Sequence, residues 1–419
     1  MSTDPTRPFP PAGPGGPAGE AEICAALRAF RHLPKGEGTP DGDGRLRVLA
    51  VFGTRPEAVK MAPVVLAFRR DPELSLTTCA TGQHREMADH ALEAFGILPD
   101  ASFDVMRPGQ DLTELTVRVM TEVRALLQRV RPHLLLVQGD TATTAATALA
   151  AHHARVPVAH VEAGLRTGDL FSPYPEEANR RIVGQLASIH FAPTPRARAN
   201  LLAEGVRPEQ IFLTGNTVVD ALLEAVSLPF DPAGTPLEAL GGARHLVVVT
   251  AHRRENLGGP LRQLCSALRR LVAGRADVEV VFPVHPNPDV RKQVLPALEG
   301  VPRVHLLPPL SYLPFVHLLR RSALVLSDSG GIQEEAPSLG LPVLVFRDTT
   351  ERPEGVEAGC ARLVGTREER ILAEVLRLLD DPEERARMAS CPNPYGDGHA
   401  ARRILDTCKR LFREVRAGA

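Results

Sequence analysis

The chain has no tryptophan, three tyrosines and only 4% aromatic residues in 419. It therefore lacks the material for a base-stacking platform or a sugar-stacking lectin groove. No charge of either sign predominates: 49 basic against 50 acidic side chains leave a formal net charge of −1. That balance excludes a nucleic-acid binder working by bulk phosphate neutralisation, while local basic clusters for a small anion remain available. No apolar run approaches the roughly 20 residues a membrane helix needs. The six cysteines (Cys24, Cys79, Cys265, Cys360, Cys391, Cys408) form no C-x-x-C pair. Their scatter fits reduced thiols rather than a disulfide framework or a zinc site. The N-terminus shows no charged segment followed by an apolar one, so a cytoplasmic location is the default expectation.

What is present is a soluble globular composition, 43% hydrophobic and 24% charged, with length for two domains. Residues 1–44, rich in Pro, Gly and Ala apart from a short helix expected at Glu20–Leu33, read as a flexible extension. Asp41 and Asp43 in DGDG read as a turn, since further metal ligands are missing. From Leu46 onward short apolar runs alternate with helical stretches. Strands are expected at Leu46–Gly53, Leu74–Ala80, Leu134–Gln138, Val156–Val161 and Ile189–Ala192. Helices are expected at Pro56–Arg69, Arg85–Phe95, Leu112–Val130 and Thr143–Ala154. A Pro/Gly-rich stretch at 227–244 reads as a linker. The rhythm then restarts with strands at His245–Thr250, Val278–Pro283, Val304–Leu307, Leu324–Leu326 and Val343–Phe346. Its helices are expected at Leu257–Val272, Pro288–Leu298, Leu313–Arg320 and Ile332–Leu339, and the tail Ala400–Val415 is an amphipathic helix. This pattern predicts an α/β fold of two Rossmann-like doubly wound domains facing a cleft, residues 45–226 and 227–398, with the helix at 399–415 packing back on the first.

Ligands of open α/β sheets bind beyond the carboxyl ends of the strands, and the distinctive motifs lie there. Arg55 in Gly53-Thr54-Arg55-Pro56-Glu57 follows the first strand, with Lys60 one turn on. Asp140 in Gly139-Asp140-Thr141 follows another strand, and Glu162 in His160-Val161-Glu162-Ala163-Gly164 the next. Asp140 could instead cap the Thr-rich helix after it. Glu176 stands in an acidic first helical turn, Tyr174-Pro175-Glu176-Glu177, which by itself is also a common helix start. In the second half, His252 in AHRREN and His285 in PVHPNP end strands, where histidine serves as acid, base or phosphate partner, or simply as a core residue. Ser329-Gly330-Gly331 opens a helix in SDSGG and suits an anion such as a diphosphate. It matches neither G-x-G-x-x-G nor a P-loop. Glu335, a turn further on, is a candidate for ribose hydroxyls. His84 and His90 have no metal-triad spacing, and no H-E-x-x-H occurs.

Taken together, FGTRPEAVKMAP, QHREM, GDTATT, VEAGLRTGD, SPYPEEANR, TGNTVVDAL, AHRREN, PVHPNP, SDSGGIQEEAPSLG, DTTERPEG and NPYGDG resemble the non-hydrolysing UDP-N-acetylglucosamine 2-epimerases, over about residues 46–415. The resemblance implies a glycosyltransferase-B-type fold and interconversion of UDP-GlcNAc and UDP-ManNAc without a cofactor or metal. It implies anti-elimination of UDP to 2-acetamidoglucal followed by re-addition, domain closure over the nucleotide, supply of ManNAc units for a cell-surface polysaccharide, and a homodimer. By matching positions, Asp140, Glu162, Glu176 and His252 are the implied catalytic residues. Arg55, Lys60, Ser329, Gly330, Gly331 and Arg352 would hold the UDP diphosphate region, Glu335 the ribose, and Leu310 (main chain) and Phe315 the uracil. Some members carry a second, activating substrate site, whose counterparts here are Gln83, Glu176, Arg253 and His285. Glu86 stands there for a Gln and Gly109 for an Arg, which argues against substrate activation. Gln138 stands where the family often has His. A glycosyltransferase of the same architecture, a hydrolysing epimerase and a catalytically silent UDP-sugar sensor are the competing readings.

Overall fold

The computed structural model describes residues 44–83, 92–238, 240 and 244–417. The expected helix Glu20–Leu33, the DGDG turn, and most of the expected helix Arg85–Phe95 with His84, Glu86 and His90 lie outside these residues. The chain divides into two compact units, one of residues up to Asp220 plus Gly398–Ala419, the other Ala221–Asp397.

Unit 1 holds a seven-stranded sheet of β1 (Leu46–Phe52), β2 (Leu74–Ala80), β3 (Ala101–Ser102), β4 (Leu134–Gln138), β5 (Val158–Val161), β6 (Ile189–Ala192) and β7 (Ile211–Leu213). The strand order is β3-β2-β1-β4-β5-β6-β7 and every pairing is parallel. Helices α1 (Arg55–Arg69), α2 (Leu112–Val130), α3 (Ala142–His153), α4 (Glu176–Leu186) and α5 (Pro195–Ala203) lie between its strands, and α6 (Thr217–Ser227), after β7, carries the chain from unit 1 into unit 2. Strands covered on both faces must be apolar throughout, and β4 is buried at every position. Helix α2 starts at a reciprocal cap between Asp111 and Glu114 and buries Leu115, Val119, Val123, Leu126 and Leu127, a stripe at helical spacing.

Unit 2 repeats the plan with β8 (His245–Thr250), β9 (Val278–Pro283), β10 (Val304–Leu307), β11 (Leu324–Ser327), β12 (Val343–Val345) and β13 (Ala361–Leu363), ordered β10-β9-β8-β11-β12-β13. Its helices are α7 (Gly259–Gly274), α8 (Pro288–Leu298), α9 (Tyr312–Arg320), α10 (Gly330–Glu335), α11 (Pro353–Glu357), α12 (Glu368–Asp380) and α13 (Pro382–Ala389). The last helix, α14 (Ala400–Ala417), belongs to unit 1. Its Lys409 and Arg413 pair with Asp71 and Glu73 of the α1–β2 turn.

Both sheets follow the 3-2-1-4-5-6 order, in which the winding reverses between the first and fourth strands. Several expected boundaries shift. Val156 closes α3 by donating its N–H to Ala151 O, so β5 begins at Val158. The helix expected at Ile332–Leu339 starts earlier, at Gly330, and tightens to a 3-10 turn at Ala336–Leu339, which contains Pro337. Helix α7 begins after a separate 3-10 turn at Arg254–Asn256. The stretch 227–244 does more than link: Leu237 and Leu240 are buried in unit 2's core with Val248, Val281 and Val325.

Candidate active site

In unit 1, the turns leaving β1 and β4 flank the point where the winding reverses. Thr54 caps α1 and Pro56 occupies its first turn, which places Arg55 and Lys60 on the helix that leaves β1. Gly139 has φ +73°, and this left-handed turn lifts Asp140 off the end of β4. Asp140 is held from α4: Arg180 Nε and Nη2 lie 2.8 and 2.7 Å from its Oδ2, and Asn179 Nδ2 donates to its carbonyl at 2.9 Å. Glu162 follows β5 with φ +64°, a conformation non-glycine residues rarely adopt. Its Oε2 meets Lys60 Nζ at 2.5 Å, both side chains largely buried at 7% and 13% exposure. Lys60, expected on the diphosphate, is thus engaged with a candidate catalytic acid.

Glu176 and Glu177 begin α4 with opposite roles. Glu177 is fully buried and accepts from Thr167 N–H, Gly168 N–H and Arg180 at 3.0, 3.3 and 3.2 Å. Burial raises its carboxyl, but these donors outweigh it and leave the group below its usual range. Glu176 Oε2 is buried with no hydrogen-bond partner among the described residues. A buried carboxylate oxygen without a partner is costly and calls for a role of its own. Gln83 accepts from Thr143 Oγ1, in the first turn of the helix that follows Asp140, at 2.9 Å.

In unit 2, β11 delivers Asp328, fully buried, under the β8–α7 turn. It takes hydrogen bonds from His252 N–H and Arg253 N–H, both 2.9 Å, and from Asn256 Nδ2 at 3.0 Å. Burial raises its carboxyl, yet His252, Arg253 and Asn256 hold it below the ordinary range. His252 Nδ1 is 3.0 Å from Asp328 Oδ1. An acceptor-only carboxylate fixes the proton on Nδ1, leaving Nε2 as the nitrogen available to a ligand. His285 stacks on His252, with ring centres 5.5 Å apart.

A Cβ built on Gly330 would lie 3.7 Å from Arg253 Nη2 and 3.9 Å from Arg352 Cζ. Two guanidinium groups therefore converge beside the start of α10. Arg253 also meets Glu351 at 3.3 Å, and Arg352 pairs with Glu334. Ser329 N–H is committed to Ser327 Oγ at 2.9 Å. Glu335 accepts from Tyr312 Oη at 3.0 Å. Leu310 is buried in unit 2's core with Phe315 packed against it. Arg253 and His285, expected at an activating second site adjacent to the first, sit beside Gly330 and His252 respectively.

Several residues of this arrangement escaped the sequence reading. Arg180, Glu177 and Asp328 stand inside quoted motifs, but nothing local marks their partners. Asn393 and Tyr395 of NPYGDG brace the site: Asn393 Nδ2 donates to Glu334 O at 2.8 Å, and Tyr395 Oη accepts from Gly355 N–H at 2.9 Å and donates to Arg352 O at 3.1 Å. Among the described residues, no group of three or more His, Cys, Asp or Glu is arranged to hold a metal ion.

Two all-parallel sheets of Rossmann order, each with charged side chains gathered where its winding reverses, define the glycosyltransferase-B class of α/β fold. A glycosyltransferase of kitacinnamycin shares that fold alone, at TM-score 0.61 and 14% identity over 88% of this chain and 99% of its own. Residues 66–409 match the family model of the UDP-N-acetylglucosamine 2-epimerases, and the chain belongs to that family. It is 51% identical to the UDP-N-acetylglucosamine 2-epimerase of Escherichia coli K12 over 370 residues, covering 87% of this chain and 98% of that one. The crystal structure of the UDP-GlcNAc 2-epimerase from Neisseria meningitidis bound to UDP-GlcNAc is similar at TM-score 0.80 and 44% identity, over 87% of this chain and all of that one.

Proposed function

We propose that the chain inverts C2 of the sugar in UDP-GlcNAc, giving UDP-ManNAc reversibly, without hydrolysis. The observation that carries this is the set of acids beyond the strands of unit 1: Asp140 on Arg180, Glu162 on Lys60, and Glu176, whose buried Oε2 has no partner among the described residues. A transferase needs no such set on the sugar. The Neisseria relative's bound UDP-GlcNAc supports the substrate.

C2 has no adjacent carbonyl, so its proton is not acidic in the intact sugar. Cleaving C1–O places positive character on C1 and acidifies C2–H. In the forward step an acidic side chain takes the C2 proton, the C–H pair becomes the C1=C2 bond, and the C1–O pair leaves on the β-phosphate of UDP. The product is 2-acetamidoglucal. In the return step a diphosphate oxygen attacks C1 and a proton reaches C2 on the other face. Carboxylates supply the proton transfers and stabilise charge at C1. His252, Arg253, Arg352 and the Ser329-Gly330-Gly331 turn suit the departing diphosphate, with Arg55 as a further cation. Glu335 suits the ribose, and Phe315 with the Leu310 main chain suits the uracil. On this reading the chain works as a cytoplasmic homodimer supplying ManNAc units to a surface polysaccharide.

Incubation with UDP-GlcNAc alone, followed by NMR, tests the function. An equilibrium mixture containing UDP-ManNAc is expected, and in D2O the epimerised product carries deuterium at C2. Free ManNAc with UDP would replace this reading by hydrolysis; unchanged substrate would overturn it. Asp140→Asn, Glu162→Gln and Glu176→Gln should each lower kcat by about 10²- to 10⁴-fold while UDP affinity changes far less.

A further inference from the structure

Helix α1 reaches two acid-bearing turns through two side chains one turn apart. Lys60 meets Glu162, as described. Glu57, 2% exposed, meets the turn of Asp140. Through Oε2 it accepts from Gly53 N–H at 3.2 Å and from Thr54 N–H and Oγ1 at 2.7 Å each. Those contacts form a capping box and would serve a helix start anywhere. Its other oxygen does something a cap does not require. Thr141 Oγ1 and Thr144 Oγ1, 84 and 87 residues away in the chain, each lie 2.9 Å from Oε1.

Thr141 directly follows Asp140, and its neighbours are gripped as well. His160 Nε2 is 2.7 Å from Gly139 O, and Asn179 holds the carbonyl of Asp140. A capping glutamate is normally hydrated. Complete burial pushes the Glu57 carboxyl up, opposed by hydrogen bonds from Thr54, Thr141 and Thr144. Such a group persists where its contacts are worth the lost hydration.

We propose that Glu57 is a positioning residue for Asp140: it ties the β4–α3 turn to α1, so that α1, through Glu57 and Lys60, sets Asp140 against Glu162. This rests on the epimerase reading, in which both acids act on the sugar. A misplacement on the order of 1 Å costs up to about 100-fold in rate.

The test compares Glu57→Gln and Thr144→Val with wild type for kcat, KM, UDP affinity and thermal midpoint. Glu57→Gln turns an acceptor into a donor facing hydroxyls. Thr144→Val removes one of these contacts, together with those of Thr144 Oγ1 to Gln138 O at 2.7 Å and Thr141 Oγ1 at 3.1 Å, and leaves the capping box intact. Each is expected to lower kcat per folded enzyme at least tenfold, with UDP affinity within twofold of wild type. Added to Asp140→Asn, Glu57→Gln should lower kcat little further, because it acts through Asp140. A thermal midpoint that falls with undiminished kcat, or a loss fully additive with Asp140→Asn, would overturn the positioning role. Should Glu57→Gln fail to fold, Thr144→Val alone decides. Wild type that forms no UDP-ManNAc would remove the epimerase reading and this role with it; active wild type beside undiminished variants removes the role alone.

Discussion

Lys60 and Glu162 show how much one ion pair can fix. Glu162 is held in a left-handed conformation that costs on the order of 1 kcal/mol or more for a residue with a Cβ, and its carboxylate faces an ammonium in a largely buried setting. Removing one half of such a pair is commonly worth 3–5 kcal/mol, roughly, because the other charge stays buried. Lys60→Met keeps the stem and removes the charge. It should lower kcat and the thermal midpoint together. The double variant Lys60→Met/Glu162→Gln should be scarcely worse than either single one, with a coupling energy above about 1 kcal/mol. Strict additivity in that cycle would show that the two side chains act separately.

At the scale of elements, what the sequence disclosed follows from how many residues carried each signal. β1, LRVLAVF, was legible because a strand covered on both faces must be apolar at nearly every position. Helix α2 was legible from its capping box and its spaced apolar stripe. β3, β7 and β13 span two or three residues each, too few for any periodicity. Helices α12 and α13 lie in a run dense in Glu and Arg, which hides the buried Ile371, Val375 and Leu379. The acids beyond β4 and β5 were readable because parallel sheets present ligands there. Their braces were not, since Arg180, Asp328 and Tyr395 take their meaning from partners 40, 76 and 43 residues distant. Asp220 is a further case. From α6 it accepts Ala400 and Ala401 N–H at 3.2 and 2.8 Å, capping α14 across 180 residues or more. No local signature marks a cap supplied from so far away. Asp220→Ala should cost about 1–2 kcal/mol, read as a lower urea midpoint, and should expose α14 to proteolysis before the rest of unit 1.

At the scale of the whole molecule, the buried histidines set a response to acid. His160 and His190 are register neighbours on β5 and β6, both 1% exposed. Burial holds His160 down at about 4 and His190 at about 3. His133, ahead of β4 and half-buried, is also held at about 4 by burial. The unfolded chain takes up these protons near the ordinary value of about 6.5. Between that pH and 4 the unfolded state therefore binds more protons than the folded one, so stability falls as pH falls. For His160 the loss by pH 4 is roughly 3 kcal/mol. Carboxylates held low, such as Asp328 and Glu351, lose their contribution further down, as pH drops below their unfolded values. Glu57, pushed up by burial, works in the opposite direction, favouring the fold once protonated. The histidine window should thus open first. Urea denaturation in steps from pH 7 to pH 4 should show stability declining through that range. His190→Gln removes one proton from the difference between the states. It should flatten the slope by about 1.4 kcal/mol per pH unit, in the part of the range where the unfolded histidine is protonated and His190 is not. A slope identical to wild type would mean that His190 takes up its proton equally in the folded and unfolded chain.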